Sequence, residues 1–223
     1  MISEEIWASP HHIPDGRQHS SEAVVRQSTK LPIDIGLDEP AHARIVSFHG
    51  LSDGGEHVMI TLGPVREVPL VRVHSECLTG DSFGSLRCDC GPQLRESLRR
   101  IHQHGGALLY LRQEGRGIGL YNKIDAYSLQ DHGADTFAAN IALGFAADLR
   151  DYTVATQMLL AVGFTRIELL SNNPEKVEQL RSSGIEVVRM VHTETHANPY
   201  NVRYLTTKAV AGRHDIDVRG TAS

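Results

Sequence analysis

No cysteine occurs in this 223-residue chain outside the stretch from Cys77 to Cys90. That confinement excludes a framework of disulfides spread over the fold. No apolar run approaches the roughly 18 residues that a membrane-spanning helix needs, so no membrane partner is expected. Lys and Arg number 22 against 27 Asp and Glu, a net charge of −5. The chain therefore lacks an overall positive field to recruit a nucleic-acid polymer, and any polyanion site has to be local. The N-terminal MISEEIWASPHHIPDG has neither the basic start nor the apolar stretch of a secretory signal, and the cytoplasm is the expected location. There is no internal repeat and no low-complexity tract. What is present, 40 % hydrophobic and 22 % charged residues, suits one large domain with at most a small appendage.

Residues 1–40 are rich in Pro, His, Ser and charge without sustained periodicity. They read as a flexible arm with a short helix near Ser21–Gln27. From Ala43 three strand-like runs follow: ARIVSF, HVMITL and VPLVRV. Asp53-Gly54-Gly55 supplies hairpin chemistry between the first two, and the third ends directly at His74. After Cys90, Gly91-Pro92 can open a helix whose Leu94, Leu98 and Ile101 share one face before Gly105-Gly106 stops it. ALLYLR (107–112) reads as a buried strand, with the glycine-rich QEGRGIGL at its C-terminal end. Helical stretches are expected at 120–132, 136–143 and 153–162, and RIELL (166–170) as a strand. A helix opened by Pro174 and closed by Gly184 follows, then a last strand EVVRM (186–190). Strands first, then helix and strand in alternation, argue for an α/β domain with a mixed sheet. Residues 209–223 read as a mobile tail.

The spacing C-x10-C-x-C is informative because, in a reducing compartment, clustered thiols bind metal or do chemistry. Cys77, Cys88 and Cys90 supply three thiolates, the number found in catalytic zinc sites that leave a fourth position for water. A structural zinc closed by His74 is equally compatible with the spacing. The polar flanks Ser, Glu, Thr, Asp and Arg argue against merely buried thiols. His74-Ser75-Glu76 matches half of a zinc nucleobase deaminase signature, but the P-C-x-x-C half is absent, since the pair here is Cys88-Asp89-Cys90. GRGIGL lacks the acidic partner of a dinucleotide fingerprint. DLRDY (148–152) alone reads as a solvated helix N-terminus with Asp151 as cap.

Taken together, RVHSECLTGDSFGSLRCDCGPQL (72–94), RQEGRGIGLYNKIDAY (112–127), DLRDY and SNNPEKV (171–177) resemble GTP cyclohydrolase II, in order, from about Val68 to Lys208. The resemblance implies a single α/β domain over 41–208, with a mixed, barrel-like sheet in its N-terminal half and helices packed on it. It also implies a homodimer acting in riboflavin biosynthesis or a related pathway. One zinc per chain on Cys77, Cys88 and Cys90 would activate the water that attacks guanine C8 and releases formate. Magnesium would accompany the triphosphate. Arg150 would attack the α-phosphate, with Asp148 as its base, and Tyr127 would serve the ring opening. Arg72, Val73, His74, Ser75, Glu76, Gln93, Glu114, Gly115, Arg116, Thr136, Ser171 and Lys176 would contact GTP. Glu114 would accept from the guanine N1–H and amine, and Arg116 and Lys176 would suit the phosphates.

Three departures from the family pattern are visible: Ser171 for a usual threonine, Asp125 at a commonly basic position, and an altered 190–201 segment. Two rival readings are a paralogue that stops at the formamidopyrimidine nucleotide and a GTP-binding zinc module without catalysis. Tyr127 speaks against the first, and the Asp148/Arg150 pair against the second.

Overall fold

Side-chain alternation along the strands places one apolar set on each face of a single seven-stranded sheet. In the computed structural model, which describes residues 23–64, 66–133, 136–146 and 148–210, the strands are β1 (Val24–Ile33), β2 (Ala41–His49), β3 (Val58–Leu62), β4 (Leu70–Ser75), β5 (Gly106–Leu111), β6 (Arg166–Leu170) and β7 (Glu186–Val191). The helices are α1 (Leu78–Asp81), α2 (Cys90–His104), α3 (Leu120–Asp131), α4 (Thr136–Ala142), α5 (Thr153–Ala161), α6 (Pro174–Ser182) and α7 (Val202–Val210), with a 3-10 turn at Glu114–Gly117.

The strand order is β1-β2-β3-β5-β4-β6-β7. β1, β2, β3 and β5 pair antiparallel, whereas β5, β4, β6 and β7 pair parallel. This is the mixed α/β sheet read from the sequence. It runs open from β1 to β7, so the barrel-like aspect expected of the N-terminal half reduces to an antiparallel flank.

Three elements differ from the sequence reading, the smallest being α1, inside a cysteine window with no helical pattern. Residues expected in a flexible arm, and partly in a short helix, form β1, paired with β2 from Val24↔His49 to Ile33↔Ala41. VVRQSTKLPI is an edge strand whose side chains are mostly exposed, so the hydrophobic alternation that marks a half-buried strand is faint. α7 was likewise unforeseen. Residues 1–22 and 211–223, which hold most of the expected arm and tail, lie outside the described residues.

The core has two layers. On one face, Val71, Val73, Leu109, Leu111, Ile167 and Leu169 of the central strands pack against Met158 and Leu159 of α5 and Val177 and Leu180 of α6. On the other, Leu62, Leu70 and Leu108 meet Ile101 of α2, with Leu94 and Leu98 beside it. Each such side chain, once fully buried, contributes about 1.5–3 kcal/mol. Rigid strands therefore set where the loops begin.

That matters because β4 is a topological switch point. The chain leaves β4 through α1 and α2 to β5 on one side, and β6 later takes the other side. At such points an open α/β sheet leaves a crevice beyond the carboxyl ends of its strands. Here the three loops bounding it are those after β4, β5 and β6.

Candidate active site

The loop after β4 carries the cysteines. The three Sγ atoms lie within 4.8 Å of one another, and those of Cys77 and Cys88 are 3.6 Å apart. Two glycines permit this. A Cβ on Gly80 would stand 2.7 Å from Cys88 Sγ, and one on Gly91 would stand 2.3 Å from the Gly80 carbonyl oxygen. α1 can therefore lie directly on the first turn of α2. Three thiols this close, two buried and Cys90 half-buried, share protons unequally. Cys77 is driven well down by the other two sulfurs, with Lys123 adding to the effect, and Cys88 is pushed up to about 12 by its neighbour Cys77. Such a donor set fits a thiophilic cation such as zinc.

His74 does not join them. Its Nε2 is 3.0 and 3.2 Å from the Asp81 carboxylate oxygens, and its ring stacks on Tyr110 at 5.5 Å. Asp81 in turn accepts from the Cys77 N–H at 3.0 Å and the Tyr110 hydroxyl at 2.8 Å. The histidine thus shapes the loop through Asp81. Among the described residues the thiol cluster has no fourth protein ligand, and the reading of a zinc closed by His74 fails.

Around the thiols stand residues from the loop after β5 and from α3. Lys123 Nζ is 3.1 Å from Cys77 Sγ and 2.7 Å from Glu114 Oε1. Glu114 Oε2 accepts the Leu78 N–H at 2.7 Å. The buried Glu114 therefore anchors the cysteine loop, and a guanine would have to share its carboxylate with these partners. Tyr127 places its hydroxyl 3.1 Å from Thr79 Oγ1, itself 3.7 Å from Cys77 Sγ. Arg87 lies over the Tyr127 ring at 4.9 Å. Burial raises the Tyr127 pKa against weaker downward pulls from Thr79 and Lys123, so the phenol stays a proton donor. Lys123 and Thr79 escaped the sequence reading. For Lys123, its place four residues before Tyr127 on one helix face was a usable signal.

A second cluster gathers at the same crevice. Asp148 accepts from Arg150 Nε at 2.9 and 3.1 Å, from Arg150 Nη2, and from the Arg150 N–H at 3.0 Å. Arg116 Nη1 is 3.5 Å from the same carboxylate. Burial alone would lower the Arg150 pKa, but Tyr152 and Asp148 override it and hold the guanidinium charged. Gly115 and Arg116 both adopt φ near 62°. For Arg116 this is strained backbone, tied down by a bond from the Leu149 N–H to its carbonyl at 3.0 Å. Asp151 accepts the Thr153 N–H at 2.8 Å from just ahead of α5, but the N-cap is Tyr152 and not the Asp151 read from spacing alone, while Arg150 turns inward.

The other expected contacts divide. Arg72, His74, Ser75, Glu76, Gln93, Gly115, Arg116, Ser171 and Lys176 all line one pocket with the cysteines, Glu114, Tyr127 and Arg150. Arg72 donates to the Leu170 carbonyl at 3.0 Å and to Gln93 at 2.9 Å. Lys176, in the first turn of α6, donates to the Val73 carbonyl at 2.7 Å. Val73 offers only that carbonyl, since its side chain belongs to the core. Ser171 keeps the hydroxyl of the threonine it replaces and accepts from the Asn173 N–H at 3.0 Å. Asp125 is exposed. The side chain of Thr136 lies outside the described residues.

No helix among the described residues is long and apolar enough to cross a membrane. The family model described as GTP cyclohydrolase II matches residues 26–192, a span that takes in most of β1. The chain is 52 % identical over 190 residues to the GTP cyclohydrolase-2 of Vibrio cholerae, covering 84 % of this chain and 96 % of that protein. It is 51 % identical over 196 residues to that of Psychromonas ingrahamii, covering 86 % and 98 %. With that of Hahella chejuensis it shares 53 % identity over 188 residues, covering 82 % and 87 %.

Proposed function

Because the chain belongs to the GTP cyclohydrolase II family, we propose that it hydrolyses GTP with zinc and magnesium to formate, pyrophosphate and 2,5-diamino-6-(5-phosphoribosylamino)pyrimidin-4-one. The observation that carries this reading is the meeting, in one pocket, of a three-thiol cluster, a phenol and Arg150, whose guanidinium is paired with Asp148 behind it. Two chemistries are required, removal of C8 as formate by cleavage of its two C–N bonds with two waters and loss of pyrophosphate by cleavage of a P–O bond, and two sets of groups are available for them.

Cys77, Cys88 and Cys90 would hold the zinc, which when bound supplies Lewis acidity and brings a water pKa to about 7. Lys123 steadies the Cys77 sulfur and, through Glu114, fixes the start of α1. Tyr127, kept protonated, can deliver its proton to the opening imidazole. Thr79 orients that hydroxyl.

Pyrophosphate loss falls to Arg150. A guanidinium nitrogen forms a bond to the α-phosphorus as the bond to the departing pyrophosphate oxygen breaks. Its proton passes to Asp148, which already accepts from Nε and Nη2. Water then cleaves the P–N bond. Because the guanidinium is held charged, proton loss and attack have to coincide. Magnesium enters with the triphosphate as part of the substrate. The product would feed riboflavin biosynthesis or a related pathway in the cytoplasm, and the protein would work as a homodimer.

Incubation with GTP and magnesium, with formate and pyrophosphate assayed separately, tests the proposal. Release of both in equal amounts is expected. Pyrophosphate without formate would point to the paralogue that keeps the formyl carbon, and tight GTP binding with neither product to a non-catalytic module.

A further inference from the structure

α7 was not marked by any sequence pattern, yet two of its side chains, Tyr204 and Lys208, line the pocket. The helix is firmly placed. Leu205 and Asn201 are fully buried, and Asn198 and Asn201 exchange bonds of 2.8 and 3.1 Å before its first turn. The altered 190–201 segment does the placing. Arg100 of α2 donates to the His192 carbonyl at 2.7 Å, and Glu96 accepts the Glu194 N–H at 3.1 Å with His196 3.0 Å away. The Asn172 side chain pairs with both backbone groups of Thr193 at 2.9 and 3.0 Å. The Glu96–Glu194–His196 group is thus a strap that carries α7 across the crevice.

Lys208 arrives only loosely bound. Its Nζ is 3.4 Å from both Asp89 oxygens, longer than the 2.7–2.9 Å usual for a charge-assisted bond. Asp89 has a shorter partner in Gln93 Nε2 at 2.7 Å. Nearby, the buried basic side chains of Arg72 and Lys176 hydrogen-bond, among the described residues, to neutral groups. Lys176 is pushed well below its ordinary pKa by burial first, then by Arg72, Arg150 and Lys208. A wall where buried cations repel one another and carboxylates are few calls for a multiply charged anion.

We infer that Lys208 is a substrate-positioning residue, which α7 brings to the triphosphate to complete a cationic subsite with Arg72 and Lys176. The inference rests on GTP as substrate. The alternative is that Lys208 merely neutralises Asp89 and steadies the cysteine loop.

The test compares the full-length zinc-loaded protein with Lys208→Met, Lys208→Gln and Lys208→Arg. Gln keeps a hydrogen bond to Asp89 without the charge, and guards against Met failing to fold. Binding of inorganic tripolyphosphate with magnesium is measured by calorimetry, alongside KM and kcat for GTP, guanosine affinity and zinc content. Met and Gln should weaken tripolyphosphate binding and raise the GTP KM by about ten- to a hundredfold, the loss typical of one charge-assisted contact. Guanosine affinity and zinc content should hold, and Arg should recover most of the loss. Tripolyphosphate affinity and KM within about twofold of the unmodified protein in the folded Gln variant would overturn the inference. So would parallel loss of zinc or guanosine binding, which would leave only the structural role. If the unmodified protein itself binds neither GTP nor tripolyphosphate, it is the substrate reading that falls.

Discussion

The thiol cluster and the arginine cluster line one pocket but are assembled in opposite ways. The thiols come from a single loop, residues 77–90, folded back on itself by Gly80 and Gly91. The cations come from β4, the segment before α5, α6 and α7, residues far apart in sequence. The first cluster is short-range and sulfur-rich, which suits the single metal ion proposed for it. The second is long-range and positively charged, which suits the extended anion proposed for it. One turn links them: Glu114 reaches the cysteine loop while Arg116, two residues on, reaches Asp148. The strained φ of Arg116 is explained by that double duty, since the turn has to send neighbouring side chains to different clusters. Chemistry can therefore be separated by mutation even though the substrate is shared.

The largest separation should come from Cys88→Ser. Zinc content and formate release should both fall to background, as expected when a catalytic metal loses one of three protein ligands. The thiols lie at the strand ends and outside the two apolar layers, so far-ultraviolet dichroism and the thermal midpoint should change little. If removing zinc unfolds the whole chain, the thiol cluster is scaffolding and the comparison collapses.

On the other cluster, Arg150→Lys should cut pyrophosphate release about a thousandfold, the scale at which arginines act on transferring phosphoryl groups. Lysine retains the charge but not the fork that grips Asp148. The distinctive expectation is a GMP adduct on a peptide containing Arg150, trapped by acid quench and seen by mass spectrometry. It should be missing in Arg150→Lys and in Asp148→Asn. Near-normal pyrophosphate release in the lysine variant, with no adduct in the unmodified protein, would reduce Arg150 to an electrostatic clamp.

Tyr127→Phe should split the products. Formate release should drop about a hundredfold, within the range for loss of one proton-transfer group, while pyrophosphate release persists and a formylated intermediate accumulates. Equal loss of both would mean that the ring packs under Arg87 and Lys123 and nothing more.

The same contrast explains what the sequence could reveal. Cys77, Cys88 and Cys90 were legible because their spacing is local and thiolate chemistry is specific. β2 to β7 and α2 to α6 were legible between turn signals, β4 and β5 as short continuous apolar runs buried on both faces and α2 as a helix with one apolar face. β1 was lost because an edge strand with mostly exposed side chains prints no such pattern. His74 was ambiguous because only three dimensions show that Asp81 and Tyr110 hold its ring away from the sulfurs. Arg150 was recognisable through resemblance, since DLRDY alone reads as a capped helix start. Lys208 had neither local spacing nor a motif of its own. Its role arises only where α7 crosses the loops after β4 and β6.

The smallest expected effect concerns acid, and it again tells the clusters apart. Burial alone would raise the Asp148 pKa, but bonds from Arg150, with Arg116 nearby, hold it below the usual carboxylate range. A carboxyl depressed in the folded state contributes stability above its unfolded pKa, near 3.9 for aspartate. That contribution is lost as pH falls through the folded value. Cys77, driven well down, adds an acid dependence of its own, but it is common to wild type and Asp148→Asn, so the difference between the two belongs to the arginine cluster. Glu96 and Asp53 are depressed as well, but they are present in both proteins when wild type is compared with Asp148→Asn. Urea midpoints measured from pH 6 down to about 2 should therefore converge: the variant is the less stable at pH 6, where Arg150 has lost its anion, and the gap closes in acid as wild type loses the same anion by protonation. The side chain is 27 % exposed, so solvent screening keeps the gap small. A gap that stays constant across the range would show that the charge of Asp148 adds nothing to the fold.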